Sequence, residues 1–99
     1  MHASIWKFTG DPDDLTPRYD ALLAEVPTSE FIAQLCLRAP DGIVMVDTCP
    51  SREAFEAFAT GDWFRDARRR HGLPDPTEVR DYPVHDAIIA GERPEAVVR

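Results

Sequence analysis

The chain contains no asparagine, a single lysine (Lys7), two cysteines and three histidines. The cysteines, Cys36 and Cys49, are too few for a disulfide framework and lack metal-ligand spacing. His2, His71 and His85 are scattered, with neither a His-x-x-x-His nor a Cys-x-x-Cys pattern, so no structural zinc site and no metal are expected. There is no glycine-rich phosphate loop and no Gly-x-Ser-x-Gly, which removes the common nucleotide-dependent enzymes and serine hydrolases. No apolar run approaches the ~18 residues that span a bilayer. Met1 to Lys7 lack the charged-then-apolar order of a signal peptide. These absences make a cytoplasmic protein without membrane contact the expectation.

A net charge of −7 repels phosphate backbones unless positive charge is concentrated. The one basic cluster, Arg68-Arg69-Arg70-His71, falls in the last turn of a predicted helix, where cations offset the negative dipole end. No nucleic-acid partner is expected. Ninety-nine residues make one domain, read here as residues 1–90 followed by a polar tail, 91–99, with a small Val97-Val98 pair.

Residues 3–9 are β-branched and aromatic and read as a strand. Asp11 is a helix N-cap, with Pro12 suited to the first turn. Pro17 leaves two arrangements open: a short turn followed by a helix capped at Thr16, or one kinked helix. In both, Leu15, Tyr19, Leu22, Leu23 and Val26 share a face. Pro27 is the expected stop.

Residues 31–38 and 43–48 read as a hairpin through Ala39-Pro40-Asp41-Gly42. An even-length loop puts Phe31, Ala33, Leu35, Leu37, Val44 and Val46 on one face. Gln34, Cys36, Arg38, Met45 and Asp47 fall on the other; an odd loop flips the register. The apolar face is expected to meet the helices, and the mixed face a second copy. Cys36 and Cys49 share a face but are out of register, so two free thiols are expected.

Ser51 caps the next helix. Gly61-Asp62 interrupts it, with Asp62 expected to recap a piece from Trp63 to His71. Gly72 fits a left-handed C-cap and Pro74 blocks continuation. Residues 78–89 are expected as the last strand, with Pro83 arguing for an edge or a bulge.

The order β-α-β-β-α-β predicts an α+β, ferredoxin-like fold. Right-handed crossovers set strands one and three side by side in a four-stranded antiparallel sheet, with the helices on one face. The second face is left bare, and a two-fold homodimer is the simplest cover.

The segment Val46-Asp47-Thr48-Cys49-Pro50-Ser51-Arg52-Glu53-Ala54-Phe55 resembles the dimeric α+β-barrel superfamily, within it the antibiotic-biosynthesis-monooxygenase-like proteins. The broken helix, His71-Gly72-Leu73-Pro74 and Tyr82-Pro83-Val84-His85 extend the resemblance over roughly residues 3–90. These motifs bear fold rather than chemistry. The resemblance implies a homodimer that binds a small apolar or aromatic molecule without a cofactor and, if catalytic, is an oxygenase, cyclase or isomerase. A haem-degrading branch has Trp and His on the second helix, which map to Trp63 and His71. It also needs an Asn on the first strand, which this chain lacks.

A cofactor-free reaction on an aromatic substrate needs an apolar pocket with a base or donors. His85 is the expected base and Arg38 the expected anion stabiliser. Trp6 and Trp63 are the expected walls, with Tyr19, Asp47 and Tyr82 as further binding residues. Each also has a structural reading: the aromatics as packing, Arg38 and Asp47 as an ion pair, His85 as a satisfied histidine. The rival function is a non-catalytic dimeric binding or accessory protein. A cavity of several hundred Å³ reaching His85 favours the enzyme, and a space filled by side chains favours the rival.

Overall fold

The computed structural model describes residues 1–95, so Val97 and Val98 lie outside the described residues. The elements run β1 (His2–Thr9), α1 (Pro12–Leu23), a 3₁₀ turn (Thr28–Glu30), β2 (Gln34–Ala39), β3 (Gly42–Cys49), α2 (Arg52–Thr60), α3 (Asp62–His71) and β4 (Glu78–Pro83). The strands form one four-stranded antiparallel sheet in the order β2-β3-β1-β4. The expected adjacency of the first and third strands holds, and the architecture is α+β and compatible with a ferredoxin-like fold.

Local chemistry accounts for most boundaries. The Asp11 carboxylate accepts from the Asp13 amide at 2.9 Å and starts α1. Of the two arrangements left open by Pro17, the single helix is the one formed. The Ser51 hydroxyl accepts from the Ala54 amide at 3.1 Å and starts α2. α3 differs from expectation: it begins at Asp62 itself, with Gly61 as its cap residue and no side-chain cap. Gly72 closes α3 with φ of 75°, the left-handed value that favours glycine.

The β2–β3 hairpin turns through Pro40 and Asp41, with Ala39 paired to Gly42. Gly42 is required by close approach, because a Cβ there would run into the Phe8 carbonyl oxygen. The even-loop register is the one observed, pairing Gln34 with Asp47, Leu35 with Val46 and Cys36 with Met45.

The assignment of the two faces is reversed, however. The helices cover the mixed face, not the aliphatic one. Trp6, Phe8, Ile43 and Met45 are buried with Leu15, Leu22, Phe55 and Phe64. Leu35 and Leu37 are 54% and 48% exposed, and Ile5 is 38% exposed. The reason is volume. The helix side is filled by rings from β1 and α2–α3, Trp6 standing edge-on to Phe64 at 5.0 Å between centroids. Trp6 and Phe8 pair with Met45 and Ile43 and carry that face under the helices, so the flat row of Leu35, Val46 and Ile5 is left on the other side.

β4 ends at Pro83, earlier than the expected residue 89. It pairs only with β1 and is a sheet edge, as proline in a strand requires. Beyond it, Ile89 bridges to Glu92 and Arg93 pairs with Asp86 at 3.0 Å. No helix among the described residues is long and apolar enough to cross a membrane.

Candidate functional site

Between the sheet and the helices lies a cavity of about 530 Å³. Its floor is the helix-facing side of β2 and β3, where Gln34, Met45, Asp47 and Cys49 point up. Phe55 and Phe58 of α2 and Trp63 and Phe64 of α3 wall one side. Leu22, Leu23, Val26 and Phe31 close the other. The break at Gly61 matters here, because it lets α3 start afresh with Trp63 at the edge of the space.

The polar groups are few. Asp47 Oδ1 is buried and has no hydrogen-bond partner, and neither has Gln34 Oε1 across the ladder. Burial pushes the Asp47 carboxyl up to about 6, partly offset by the Thr48 backbone amide. The Gln34 amide donates through Nε2 to the Tyr19 hydroxyl at 3.0 Å. Burial also raises the Tyr19 hydroxyl, with the Gln34 hydrogen bond acting against it.

Glu25, at the rim, behaves in the opposite way. Arg70 donates to it at 2.8 Å and His71 Nε2 lies 3.4 Å away, so its carboxyl titrates below the ordinary value. The same cavity therefore has one carboxylate held ionised and one poised near neutrality. Among the described lining residues none is cationic.

Thr48 holds the loop before β2 in place. Its hydroxyl accepts from the Ala33 amide at 2.7 Å and donates to the Ala33 carbonyl at 2.8 Å. Cys49 donates its thiol to the Ser51 carbonyl at 3.3 Å, and burial raises its titration.

Of the residues singled out from sequence, Asp47 and Trp63 line the cavity. Trp6 is buried beneath it, its indole N–H donating to Ser4 Oγ at 2.8 Å. Tyr19 reaches it through Gln34. Arg38 does not line it: it pairs with Asp13 and donates to Thr16 Oγ1 at 3.4 Å. Tyr82 is exposed and sits on the opposite sheet face, in register with Ala3. His85 is exposed beyond the end of β4 and is not among the lining residues. The strand parity expected for it does not apply, because the strand has already stopped.

Gln34, Glu25, Cys49 and the ring of phenylalanines were not anticipated as site residues. Gln34 had a legible signal, since an even hairpin loop puts it on the same face as Asp47. Glu25 had none, because its place at the rim depends on how α1 and α3 pack. Both cysteines are free. No group of His, Cys, Asp and Glu among the described residues is placed to hold a metal ion. No family model matches the chain, and no curated protein matches it.

Proposed function

We propose that the protein binds a small, largely apolar or aromatic molecule in the helix–sheet cavity and uses Asp47 to move a proton on it. The observation that carries this reading is that Asp47, whose carboxyl is raised by burial and accepts from no side chain, is among the residues lining an apolar space of about 530 Å³. A general base works best when it titrates near the working pH, and a carboxyl at about 6 meets that condition. Proton removal from an acidic O–H or C–H is the first step shared by a cofactor-independent oxygenation, a cyclisation and an isomerisation. Asp47 replaces His85 as the base in this reading. Arg38, tied to Asp13, gives way to the Tyr19–Gln34 pair as the polar wall.

The reading includes a homodimer of the dimeric α+β-barrel kind. Ile5, Leu35, Leu37, Val44 and Val46 form one apolar surface on the sheet face opposite the helices. A second copy applied to it covers that surface with its own equivalent.

One observation favours the non-catalytic alternative. A reaction through an oxyanion needs donors or a cation at the developing charge, and no described lining residue is cationic. Anthrone separates the two readings. It is a tricyclic ketone with an acidic ring C–H, and its anion reduces dioxygen. One anthrone and one dioxygen give one anthraquinone and one water. The enzyme reading expects the protein to accelerate oxygen uptake and Asp47→Asn to lose about a hundredfold or more of that acceleration. Binding without turnover leaves the accessory-protein reading, and absence of binding removes both.

A further inference from the structure

We infer that Phe31 is a specificity-determining residue: it divides the main cavity from a second apolar space and holds the site to compact ring systems without a long linear substituent. This deepens the small-molecule reading and rests on it. The second space, of about 310 Å³, is lined by Leu23, Thr28, Phe31, Ile32, Ala33 and Gln34. Leu23, Phe31 and Gln34 also line the main cavity, so these three residues form the partition between the two. Small-molecule sites run to roughly 300–1,000 Å³, and the two spaces joined fall well inside that range.

The three are not held alike. Leu23, at the end of α1, packs on the buried core. Gln34 sits in the β2–β3 ladder and is bonded to the Tyr19 hydroxyl at 3.0 Å. Phe31 is half-buried and is not among the described side chains packed on the core. The segment that carries it is tied at its ends. The Val26 amide donates to the Leu23 carbonyl at 3.0 Å, and Thr48 holds Ala33 by both amide and carbonyl. Between these ties the hydrogen bonds of the described residues stay within the 3₁₀ turn, the Phe31 amide donating to the Thr28 carbonyl at 3.2 Å. Phe31 is therefore the part of the partition that can be changed without disturbing the core or the sheet.

The chemistry of the two spaces differs in the same sense. Phe55, Phe58, Phe64 and Trp63 give the main cavity flat walls that suit a ring. The second space is aliphatic, with Leu23, Ile32 and Ala33, and suits a chain. A chain on a bound ring reaches that space only by pushing the Phe31 ring aside. Returning a half-buried phenyl ring to water offsets the burial of roughly two methylenes. That is about tenfold in affinity, lost by the substituted molecule and not by the compact one.

Fluorescence titration of the full chain with two neutral probes decides the matter. They are 6-acyl-2-(dimethylamino)naphthalenes, one with a propionyl and one with an octanoyl chain. Phe31→Ala should bind the octanoyl probe about tenfold tighter than the parent does and leave the propionyl probe within about twofold. Phe31→Leu, which keeps an apolar side chain on the segment, should show the same gain at about threefold, and carries the test if Phe31→Ala does not fold. Thr28→Asp, added to either variant, puts a carboxylate in the second space and should return the octanoyl probe to the parent's affinity. An octanoyl-to-propionyl ratio unchanged by both Phe31 substitutions overturns the proposal, while the cavity stays a ligand site. A gain that survives Thr28→Asp also overturns it, because the chain then lies in an enlarged main cavity. Loss of the propionyl probe from both variants makes Phe31 a wall for the ring and overturns it as well. Failure of the parent to bind either probe removes the small-molecule reading and this one with it.

Discussion

Gln34 and Asp47 face each other across the β2–β3 ladder, and each keeps a buried side-chain oxygen with no hydrogen-bond partner. Native interiors seldom leave such groups unpaired, and each one that persists calls for a physical account. The two residues are held by opposite means. Gln34 is fixed through its amide nitrogen to Tyr19. Asp47 is fixed mainly by its backbone, at the centre of the sheet between Gln34 and Ser4.

That arrangement destabilises the fold at neutral pH. Its folded titration, at about 6, lies above the ordinary 3.8, so the folded state binds more protons across that window. Stability contributed by the protonated carboxyl is fully present below pH ~4 and is lost as pH rises through about 6. Its neighbours are Gln34 of β2, Ser4 of β1, Tyr19 of α1, Cys49 of β3 and the ionised Glu25. Allowing for solvent in the open cavity, the loss is roughly 1–2 kcal/mol. Asp47→Asn should raise the melting temperature at pH 7.5 by about 5–10 °C, and by much less at pH 4. A variant less stable than the parent at pH 7.5 would show that the carboxylate has a stabilising partner beyond the Thr48 backbone amide.

The apolar sheet face predicts the oligomeric state. Light scattering at micromolar concentration should report twice the chain mass. Leu35→Glu, on an edge strand at a half-exposed position, should leave the fold intact by circular dichroism and give a monomer. A parent protein that scatters as a monomer at that concentration sinks the barrel dimer.

Thr48 is expected to control the loop that ends in β2. Thr48→Val keeps the shape and removes both hydrogen bonds to Ala33. The backbone amide and carbonyl of Ala33 are then left unpaired, at about 1–3 kcal/mol. Hydrogen exchange at residues 31–34 should quicken well beyond the change elsewhere in the chain. Uniform quickening would make the clamp merely a contribution to global stability.

The two thiols provide a check on the helix side of the sheet. Cys36 and Cys49 are free and partly buried, and burial raises both thiols above their ordinary titration. Alkylation of the native protein at pH 7.5 without reductant should be slow. Unfolding in denaturant, still without reductant, should expose two labels per chain. One label or none would contradict the observed register of Cys36 against Met45 and Cys49 against His2.

Much of the fold was legible because it is written in local chemistry. Asp11, Ser51 and Gly72 mark helix ends through side-chain caps and a left-handed φ. An even loop within Ala39-Pro40-Asp41-Gly42 was expected to put Gln34 and Asp47 on one face, and their direct pairing comes from the observed turn at Pro40 and Asp41. What parity does not contain is which side of a sheet the helices choose. That choice was set by the rings of Trp6 and Phe8 on β1, whose alternation places them with Met45 and Ile43. The aliphatic row of the hairpin, judged without β1, pointed the wrong way. The same gap bears on where His85 was expected, on a strand, whereas the structure places it beyond the end of β4. A histidine reads as functional when it sits on a strand, and here Pro83 ends the strand two residues earlier. Asp47 was singled out from the sequence. That Arg38, on the same face, does not pair with it was not legible, because Arg38 is drawn away to Asp13 at the start of α1.

The interruption at Gly61 has a bearing on how the protein reports its own state. α2 has nine residues and α3 ten. Isolated helices shorter than about 12–15 residues are marginal in water. Each piece therefore stays wound only because Phe55, Phe58 and Phe64 are seated, and those rings also wall the cavity. On the small-molecule reading, a molecule entering it would pack against the same rings, so occupancy and winding would rise together. The two short helices would then act as a gauge whose needle is their own backbone, with Trp63, at the rim where α3 begins, as a fluorescent pointer.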